Sequence, residues 1–170
     1  MSSFGTRIVQ SIRLDPLIFE EVEADKSALG QALGVVVLSS LASGIASVSR
    51  GIPSSIIGTT VGALIGWFIW SYLIYIIGAK WLPQPQTRSD YGELLRTIGF
   101  ASAPGIIAIV GIIPGLFTIA SIVASIWMLV ATVIAVRQAL DYNSTGRAIV
   151  VCVIGWIIYA IILWLMHAIF

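Results

Sequence analysis

The sequence predicts an all-α polytopic integral membrane protein, with five transmembrane helices preceded by a short cytoplasmic segment of amphipathic and acidic helix. Hydrophobic residues make up 58% of the chain and charged residues 10%, whereas soluble chains carry roughly 25% charge. The nine basic and eight acidic residues are confined to short intervals. They leave four uncharged stretches, at 27–49, 51–79, 97–136 and 148–170. Since a helix needs roughly 20 apolar residues to cross a hydrocarbon core about 30 Å thick, these stretches predict membrane spans.

The N-terminal segment, residues 1–26, is predicted to be cytoplasmic and to begin with an amphipathic helix. Phe4, Ile8 and Ile12 recur at the i, i+4 spacing, with Arg7 and Arg13 between them. Such a pattern is typical of a helix that lies on the membrane surface. The alternative is a frayed tail.

A second short helix is predicted from Leu17 to about Lys26. Asp15 is suited to cap it, and Pro16 is suited to its first turn. Four carboxylates lie close together on this helix and are candidates to bind a cation or a basic partner: Glu20, Glu21, Glu23 and Asp25. The alternative is a solvated acidic face.

Residues 27–170 are predicted to form the transmembrane domain. The expected spans are about 27–48, 54–79, 95–112, 116–136 and 148–168. The uncharged stretch 97–136 is about twice too long for one crossing, and Pro114 and Gly115 supply the strong turn signal near its middle. Two full crossings are therefore predicted, and a re-entrant hairpin remains open as the alternative.

The distribution of basic residues predicts the orientation. With five spans, eight of the nine basic residues fall on one side of the membrane and only Arg50 falls on the other. All eight acidic residues lie on the same side as the eight basic ones. The positive-inside rule then places the N-terminus in the cytoplasm and the C-terminus outside.

The second span carries Gly58, Gly62 and Gly66 at strict four-residue spacing. Glycines at this spacing allow another helix to approach closely in lipid. They predict either helix packing within the monomer or a dimer face in a homo-oligomer.

Pro104 predicts a kink in the third span, because proline lacks a backbone N–H and crowds the carbonyl of Phe100. Ser102 lies beside it. These three residues are candidates for a kink or a solute pathway, since a channel or carrier site can be built from carbonyls and hydroxyls.

Catalytic chemistry is not predicted. Away from their ends the spans contain no acidic or basic side chain, and intramembrane catalysis or proton transport needs such groups at depth. No phosphate-binding glycine loop and no metal-ligand spacing appears, so neither a cofactor nor a metal is expected. The net charge of +1 without a basic run argues against nucleic acid. Cys152 is interpreted as a packing residue and His167 as an interfacial histidine.

Six short segments of the chain resemble the bacterial branch of the Yip domain family. They are Leu14-Asp15-Pro16, Phe19 to Glu23, Tyr91 to Arg96, Phe100 to Pro104, Arg137 to Leu140 and Ser144 to Ala148. The resemblance implies a five-helix membrane protein of the bacterial cytoplasmic (inner) membrane with a cytoplasmic N-terminus. Eukaryotic members bind Rab-type small GTPases and one another, but this chain has a short N-terminal region and lacks their Asp-Leu-Tyr-Gly-Pro motif, so no GTPase partner is carried over.

The leading hypothesis is a non-enzymatic membrane protein that organises membrane or recruits a protein partner on its cytoplasmic face, in contact with membrane lipid. Arg96 and Arg137 lie at the cytoplasmic ends of two spans and are expected to latch Glu20 or Glu23 of the acidic helix to the bundle. The alternative is a small channel or carrier, with a pathway near the kink and the glycine face. A polar, water-sized cavity lined by Ser102, Thr97 and the Phe100 carbonyl favours transport, whereas a dry packed bundle favours organisation.

Overall fold

The computed structural model describes residues 2–48 and 56–169, and it describes the backbone alone at 163, 166, 167 and 169. The predictions for Arg50 and for the side chain of His167 therefore lie outside the described residues. All regular elements in the described ranges are helical. The α-helices are α1 (Phe4–Ile12), α2 (Pro16–Ala24), α3 (Leu29–Val48), α4 (Ile56–Ile74), α5 (Tyr91–Ala101), α6 (Phe117–Ala139) and α7 (Thr145–Ile169).

Five helical segments are long and apolar enough to cross a membrane, which confirms the predicted all-α polytopic fold. They are Lys26–Val48, Ile56–Trp81, Tyr91–Ile112, Phe117–Ala139 and Thr145–Ile162. The second segment joins α4 to a π-helical stretch, Tyr75–Trp81. The third joins α5 to a 3₁₀ helix, Ala103–Ile112. The long uncharged stretch thus holds two spans, and the turn between them contains Gly115 at φ +88°.

The third span begins earlier than the sequence predicts and changes its helix type at the predicted kink. Asp90 caps α5: its side chain accepts a hydrogen bond from the backbone N–H of Glu93, whose carboxylate accepts one from the backbone N–H of Asp90. This capping box starts the helix at Tyr91 rather than near residue 95. At Pro104 the missing backbone N–H ends the α-helical pattern. Ten residues of 3₁₀ helix follow, longer than the three or four that are usual.

The two polar connectors and the N-terminal segment lie together at one end of the bundle, which we call the connector end. The Thr87 hydroxyl donates to the Leu140 carbonyl at 2.8 Å, and the Gln86 amide donates to the Asp141 carbonyl at 3.0 Å. The Tyr142 hydroxyl lies 2.9 Å from the Gly78 carbonyl and 2.7 Å from that of Leu82. The buried core of the bundle is concentrated next to this end.

The glycine face predicted on α4 is not used for close packing at its central position. A Cβ built on Gly62 meets nothing within 4 Å inside the chain, and Gly58 and Gly62 are both exposed. Gly66 lies near Tyr159 of α7, at 3.5 Å from its hydroxyl. Packing within the monomer is therefore wrong for Gly62, and the dimer face stays a prediction.

Candidate functional site

Helices α1 and α2 form a hairpin whose turn satisfies its own backbone. The Leu14 N–H donates to the Ser11 carbonyl and the Asp15 N–H donates to the Gln10 carbonyl, both at 3.1 Å. Leu14 adopts φ 62° to close this turn. The Asp15 carboxylate then caps α2 by accepting from the Leu17 N–H at 3.0 Å, as the sequence predicts. We call α1, α2 and this turn the N-terminal hairpin, and residues 12–15 its tip.

Arg7 holds the two arms of the hairpin together. Its side chain is only 1% exposed, and its guanidinium lies 2.8 Å from a carboxylate oxygen of Glu21 and 2.8 Å from one of Asp25. It also donates to the Gln31 side chain at 2.9 Å. A buried guanidinium is stable only when its charge and donors are satisfied. The predicted surface helix is therefore wrong for the Arg7 face of α1, which points into the protein.

The carboxylates around Arg7 are held in their charged form. The backbone N–H of Ser2 and the Arg7 guanidinium donate to Glu21, which lowers the pKa of this carboxyl to about 2. The Ser27 hydroxyl and Arg7 donate to Asp25 and lower its pKa to about 2 as well. These two candidate ligands are thus already occupied by a residue of the same chain.

The tip of the hairpin lies against the middle of α6. The indole N–H of Trp127 donates to the Ile12 carbonyl at 2.8 Å, and Leu14 shares a groove with Val123, Trp127 and Val130. At about 1.5 Å per residue, Trp127 is about 18 Å along α6 from Ala139 at the connector end. The tip therefore lies beside the middle of a helix that is long and apolar enough to cross a membrane.

The latch between α2 and the bundle uses different groups from those expected. The Arg96 guanidinium donates to the backbone carbonyls of Val22 and Glu23 at the C-terminus of α2, where helix carbonyls lack partners. The Glu20 carboxylate accepts from the Gln138 amide at 2.6 Å. The predicted ion pairs of Glu20 or Glu23 with Arg96 or Arg137 are therefore wrong for the described residues. Arg96 donates to main-chain carbonyls instead, and Glu20 accepts from a side-chain amide.

Arg137 instead braces the connector between α6 and α7. It donates to the Tyr142 carbonyl at 3.2 Å and to the Thr145 hydroxyl at 3.1 Å. Its neighbours Glu20 and Glu23 line a cavity of about 780 Å³ that also includes Glu93 and Asp141. Burial and the carboxylates of Glu93, Asp141 and Glu20 raise the pKa of Glu23 to about 7, which the charge of Arg96 only partly offsets. No group of three potential metal ligands is present in the described part of the chain.

The predicted kink residues border a second cavity, inside the bundle. Ser102 lines it, together with side chains of α3, α4, α6 and α7, and its volume is about 600 Å³. Phe100 and Pro104 are buried beside it. Thr97 is buried and bonds the Glu93 carbonyl of its own helix at 3.0 Å. The site residues that sequence reasoning missed are Arg7 and Trp127, because their contacts join segments far apart in the chain.

The comparisons with known proteins give one match. The family model of the Yip1 domain matches residues 14–166, which covers α2, all five spans and residues 14 and 15 of the hairpin tip. Neither the search of curated proteins nor that of solved structures found a match. Because the family model spans nearly the whole chain, this protein belongs to the Yip1 domain family.

Proposed function

We propose that this chain is a non-enzymatic membrane protein of the Yip type that organises the membrane and recruits partners at its cytoplasmic face. The N-terminal hairpin is the element that acts on the membrane. The observation that carries this proposal is the contact between the Ile12 carbonyl and the Trp127 indole. This contact supports the insertion of α1 and α2 into only one of the two membrane leaflets.

The hairpin gives the protein a wedge shape. At the connector end, α1 and α2 pack beside the spans, chiefly against α5, α6 and the 3₁₀ helix, and the cross-section there holds seven helices rather than five. Apolar side chains are exposed on both arms of the hairpin: Leu17 is 68% exposed and Val9 is 47% exposed. Apolar helix faces that insert shallowly into one leaflet expand it and bind preferentially to curved membrane.

The charges at the tip act in the same direction. Arg13 is exposed and Asp15 is partly exposed at the level where the hairpin turns back. A charge at depth in lipid is relieved by snorkelling, by local thinning of the bilayer and by entry of water. Arg13 therefore draws phosphate headgroups toward the tip and thins the leaflet beside α6.

The cytoplasmic face is the proposed recruitment surface. Arg7 is paired with Glu21 and Asp25, and Arg96 donates to carbonyls of α2. Glu20, Glu23 and Arg137 remain along the cavity at the connector end. This acidic recess suits a partner that presents a basic side chain, and a phosphate-rich partner is disfavoured there.

The proposed orientation has the connector end in the bacterial cytoplasm and the C-terminus outside, as the positive-inside rule requires. Single-cysteine variants test it in a Cys152→Ser background. A membrane-impermeant thiol reagent added to intact cells should label Gly115→Cys and leave Ser144→Cys unlabelled until the cells are opened. Labelling of Ser144→Cys in intact cells would show that the connector end lies outside. The proposed orientation would then be wrong, and the hairpin would act on the opposite leaflet.

Vesicle sorting tests the wedge. The protein is reconstituted with the connector end outward into vesicles of mixed size, and the protein-to-lipid ratio is measured for each size class. We expect the ratio in the smallest vesicles to exceed that in the largest by about twofold or more. The double change Val9→Ser and Leu17→Ser should remove this enrichment, because both side chains face outward and lose their apolar insertion.

The matched control is Ile57→Ser, which alters a 77% exposed residue on α4, outside the hairpin. It should sort like the unmodified protein. The wedge proposal would be contradicted if the unmodified protein had the same protein-to-lipid ratio in every size class. Equal loss of sorting in the control and in the hairpin variant would also contradict it.

A channel or carrier is the second candidate, because the cavity beside Ser102 is lined by hydroxyls. The Trp67 indole bonds the Leu95 carbonyl at 3.1 Å between this cavity and the connector end, and Phe100 and Leu140 are fully buried nearby. A pathway would need a second conformation in which α4 and α5 separate. Saturable solute flux in liposomes that is lost on changing Pro104 or Gly66 would favour this candidate over the wedge.

A further inference from the structure

Serine and threonine hydroxyls in the spans differ in whether they bond their own helix. The usual behaviour is a bond from the hydroxyl to a carbonyl one turn earlier. Hydroxyls of the first group bond in this way to their own helix, at 2.8 to 3.4 Å: Ser40, Ser47, Thr60, Thr97, Ser102 and Thr132. The hydroxyls of Ser39, Ser43 and Ser125 make no hydrogen bond with any described residue.

These three free hydroxyls line the same cavity. Ser39 and Ser43 project from α3 and Ser125 from α6, on the walls of the cavity of about 600 Å³. Ser39 is only 6% exposed, and a Cβ built on Gly105 would overlap its Oγ atom. A hydroxyl held in apolar surroundings without a partner costs free energy. Ser39 is nine-tenths buried with its hydroxyl on the cavity, whereas Ser43 is partly exposed and Ser125 is exposed there. A polar group bound in the cavity would therefore give a partner to all three hydroxyls.

The cavity walls define the chemistry of that group. None of the lining residues is acidic or basic. The aromatic part of the wall consists of Trp67, Trp70, Trp156 and Tyr159. A charged head group buried here would find no counter-charge and would be strongly disfavoured. Serine hydroxyls donate and accept hydrogen bonds, so they suit uncharged hydroxyl and carbonyl oxygens. A volume of this size is within the range of small-molecule sites.

A second, apolar cavity adjoins the first and gives room for a hydrocarbon chain. It lies between α6 and α7, has a volume of about 430 Å³, and shares Leu129 and Trp156 with the first cavity. Val133, Ile149 and Val153 line its remainder. A ligand that places an uncharged polar head against the serines can therefore place an acyl chain along this groove.

We propose that the paired cavities bind an uncharged lipid of the diacylglycerol class, with its hydroxyl and ester oxygens on Ser39, Ser43 and Ser125 and one chain between α6 and α7. This site lies within the membrane, apart from the N-terminal hairpin and the connector end. It goes beyond membrane organisation, because it gives the protein a specific lipid ligand.

Photolabelling of the full-length protein in liposomes tests the site. The probe is a diacylglycerol that carries a diazirine in one acyl chain close to the glycerol, and the comparison probe is a phosphatidylglycerol with the same chain. We expect the diacylglycerol probe to label peptides of α3 and α6 around Ser39 and Ser125, and unlabelled dioleoylglycerol to compete. The anionic probe should label only surfaces that face the bilayer.

Two variants make the test specific. Ser39→Ala and Ser43→Ala should each weaken competition by dioleoylglycerol about fivefold, the value of one hydrogen bond of about 1 kcal/mol. Ser71→Ala is the matched control, because the Ser71 hydroxyl is also buried without a partner but lies outside the lining of the cavity. It should bind like the unmodified protein.

Three outcomes would overturn the proposal: no saturable labelling by the diacylglycerol probe, equal labelling of the cavity peptides by the anionic probe, or unchanged competition in the double variant Ser39→Ala, Ser43→Ala. The double variant should keep its preference for small vesicles. Loss of lipid labelling with intact vesicle sorting thus separates the failure of this site from the failure of the wedge.

Discussion

The two halves of the bundle differ in the polar side chains that they contain. Next to the connectors, the large polar groups are paired: Arg7 with two carboxylates, Arg96 with carbonyls of α2, and Tyr142 with two carbonyls. Beyond Ser102, small hydroxyls such as Ser39 and Ser43 face an open cavity without partners. Pairing fixes one conformation of the connector half, whereas unpaired hydroxyls leave the other half ready to accept a ligand.

The largest expected effect is at Arg7, where the pairing of the connector half is concentrated. Arg7→Met leaves the carboxylates of Glu21 and Asp25 without their partner and should cost about 3 kcal/mol. We expect rapid amide hydrogen exchange at residues 4–25 and a lower free energy of unfolding in detergent. Exchange at the unmodified rate would show that the hairpin docks by apolar contact alone.

A rescue variant checks the cause. Adding Glu21→Gln and Asp25→Asn to Arg7→Met removes the two uncompensated charges and should restore most of the protection. If the triple variant is no more protected than Arg7→Met alone, lost packing of the Arg7 side chain explains the effect.

The next effect compares two glycines, one from each half. Gly99→Ala would bring a Cβ to 2.7 Å from the Ala32 Cβ and 3.3 Å from its backbone, and neither atom can rotate away. Gly105→Ala would meet Ser39 Oγ and Met128 Sδ, which can move into the cavity. Overpacking should therefore cost about 2 to 3 kcal/mol at Gly99 and about 1 kcal/mol at Gly105.

Unfolding by sodium dodecyl sulfate measures both changes. Gly62→Ala is the control and should leave the stability of the monomer within about 0.5 kcal/mol of the unmodified protein, because no neighbour lies within 4 Å. If Gly62→Ala shifts the protein from dimer to monomer on size-exclusion chromatography, the glycine face on α4 is an interface between copies. A greater loss of stability at Gly105 than at Gly99 would contradict the view that the cavity half is the more adaptable.

A smaller effect is the pH dependence of α2 docking. The pKa of Glu23 is raised from 4.5 to about 7, so the folded state favours its protonated form. The resulting stability is present at low pH and is lost as the pH rises through about 7. Protection of residues 16–25 from exchange, corrected for intrinsic rates, should fall on the order of threefold from pH 6 to pH 8, a modest change because Glu23 is partly exposed.

Glu23→Gln should abolish this pH dependence and keep protection at the low-pH level. The pKa values of Glu21 and Asp25 are about 2, so these carboxylates stay charged across this range and do not contribute. Protection that rises between pH 6 and pH 8 in the unmodified protein would contradict the sign derived from Glu23.

The smallest effect concerns one hydroxyl in the paired half. Ser71 is fully buried and its hydroxyl has no hydrogen-bond partner. Ser71→Ala removes this cost and should raise the free energy of unfolding by about 0.5 kcal/mol. Thr97→Val, which deletes a paired hydroxyl nearby, should lower it instead. Destabilisation of similar size in both variants would mean that Ser71 has a partner in the membrane-embedded protein.

The sequence predicts the spans and the turn at Gly115 well, because lipid excludes charge and water from long segments. It fails for the contacts that the N-terminal hairpin makes. Periodicity places Arg7 on a polar face, and nothing local distinguishes a face toward water from one toward Glu21 and Asp25, which are 14 and 18 residues away. The contact between Ile12 and Trp127, separated by 115 residues, has no local signal at all.

The kink at Pro104 was predicted, but the cavity was not. Proline indicates where the α-helix is broken, whereas the helix type that follows depends on packing against α3 and α6. The sequence likewise does not predict that the Ser39 hydroxyl is left without a hydrogen bond, since the hydroxyl of its neighbour Ser40 bonds a carbonyl of the same helix at 2.9 Å. The acidic helix was recognised by composition, and its true partners emerge only from the fold.

The 3₁₀ helix that follows Pro104 has threefold screw symmetry, so every third residue returns to the same edge. Gly105, Ala108 and Gly111 are all buried and are spaced three apart. They form a straight row of small residues along one edge of the 3₁₀ helix, and α3 and α6 pack close to its backbone there. In an α-helix these ten residues would be about 5 Å shorter, and residues three apart would be rotated about 60° from one another around the axis. A change to α-helix, for instance by Pro104→Ala, would therefore turn Gly111 away from the edge shared with Gly105 and change the spacing between α3 and α6.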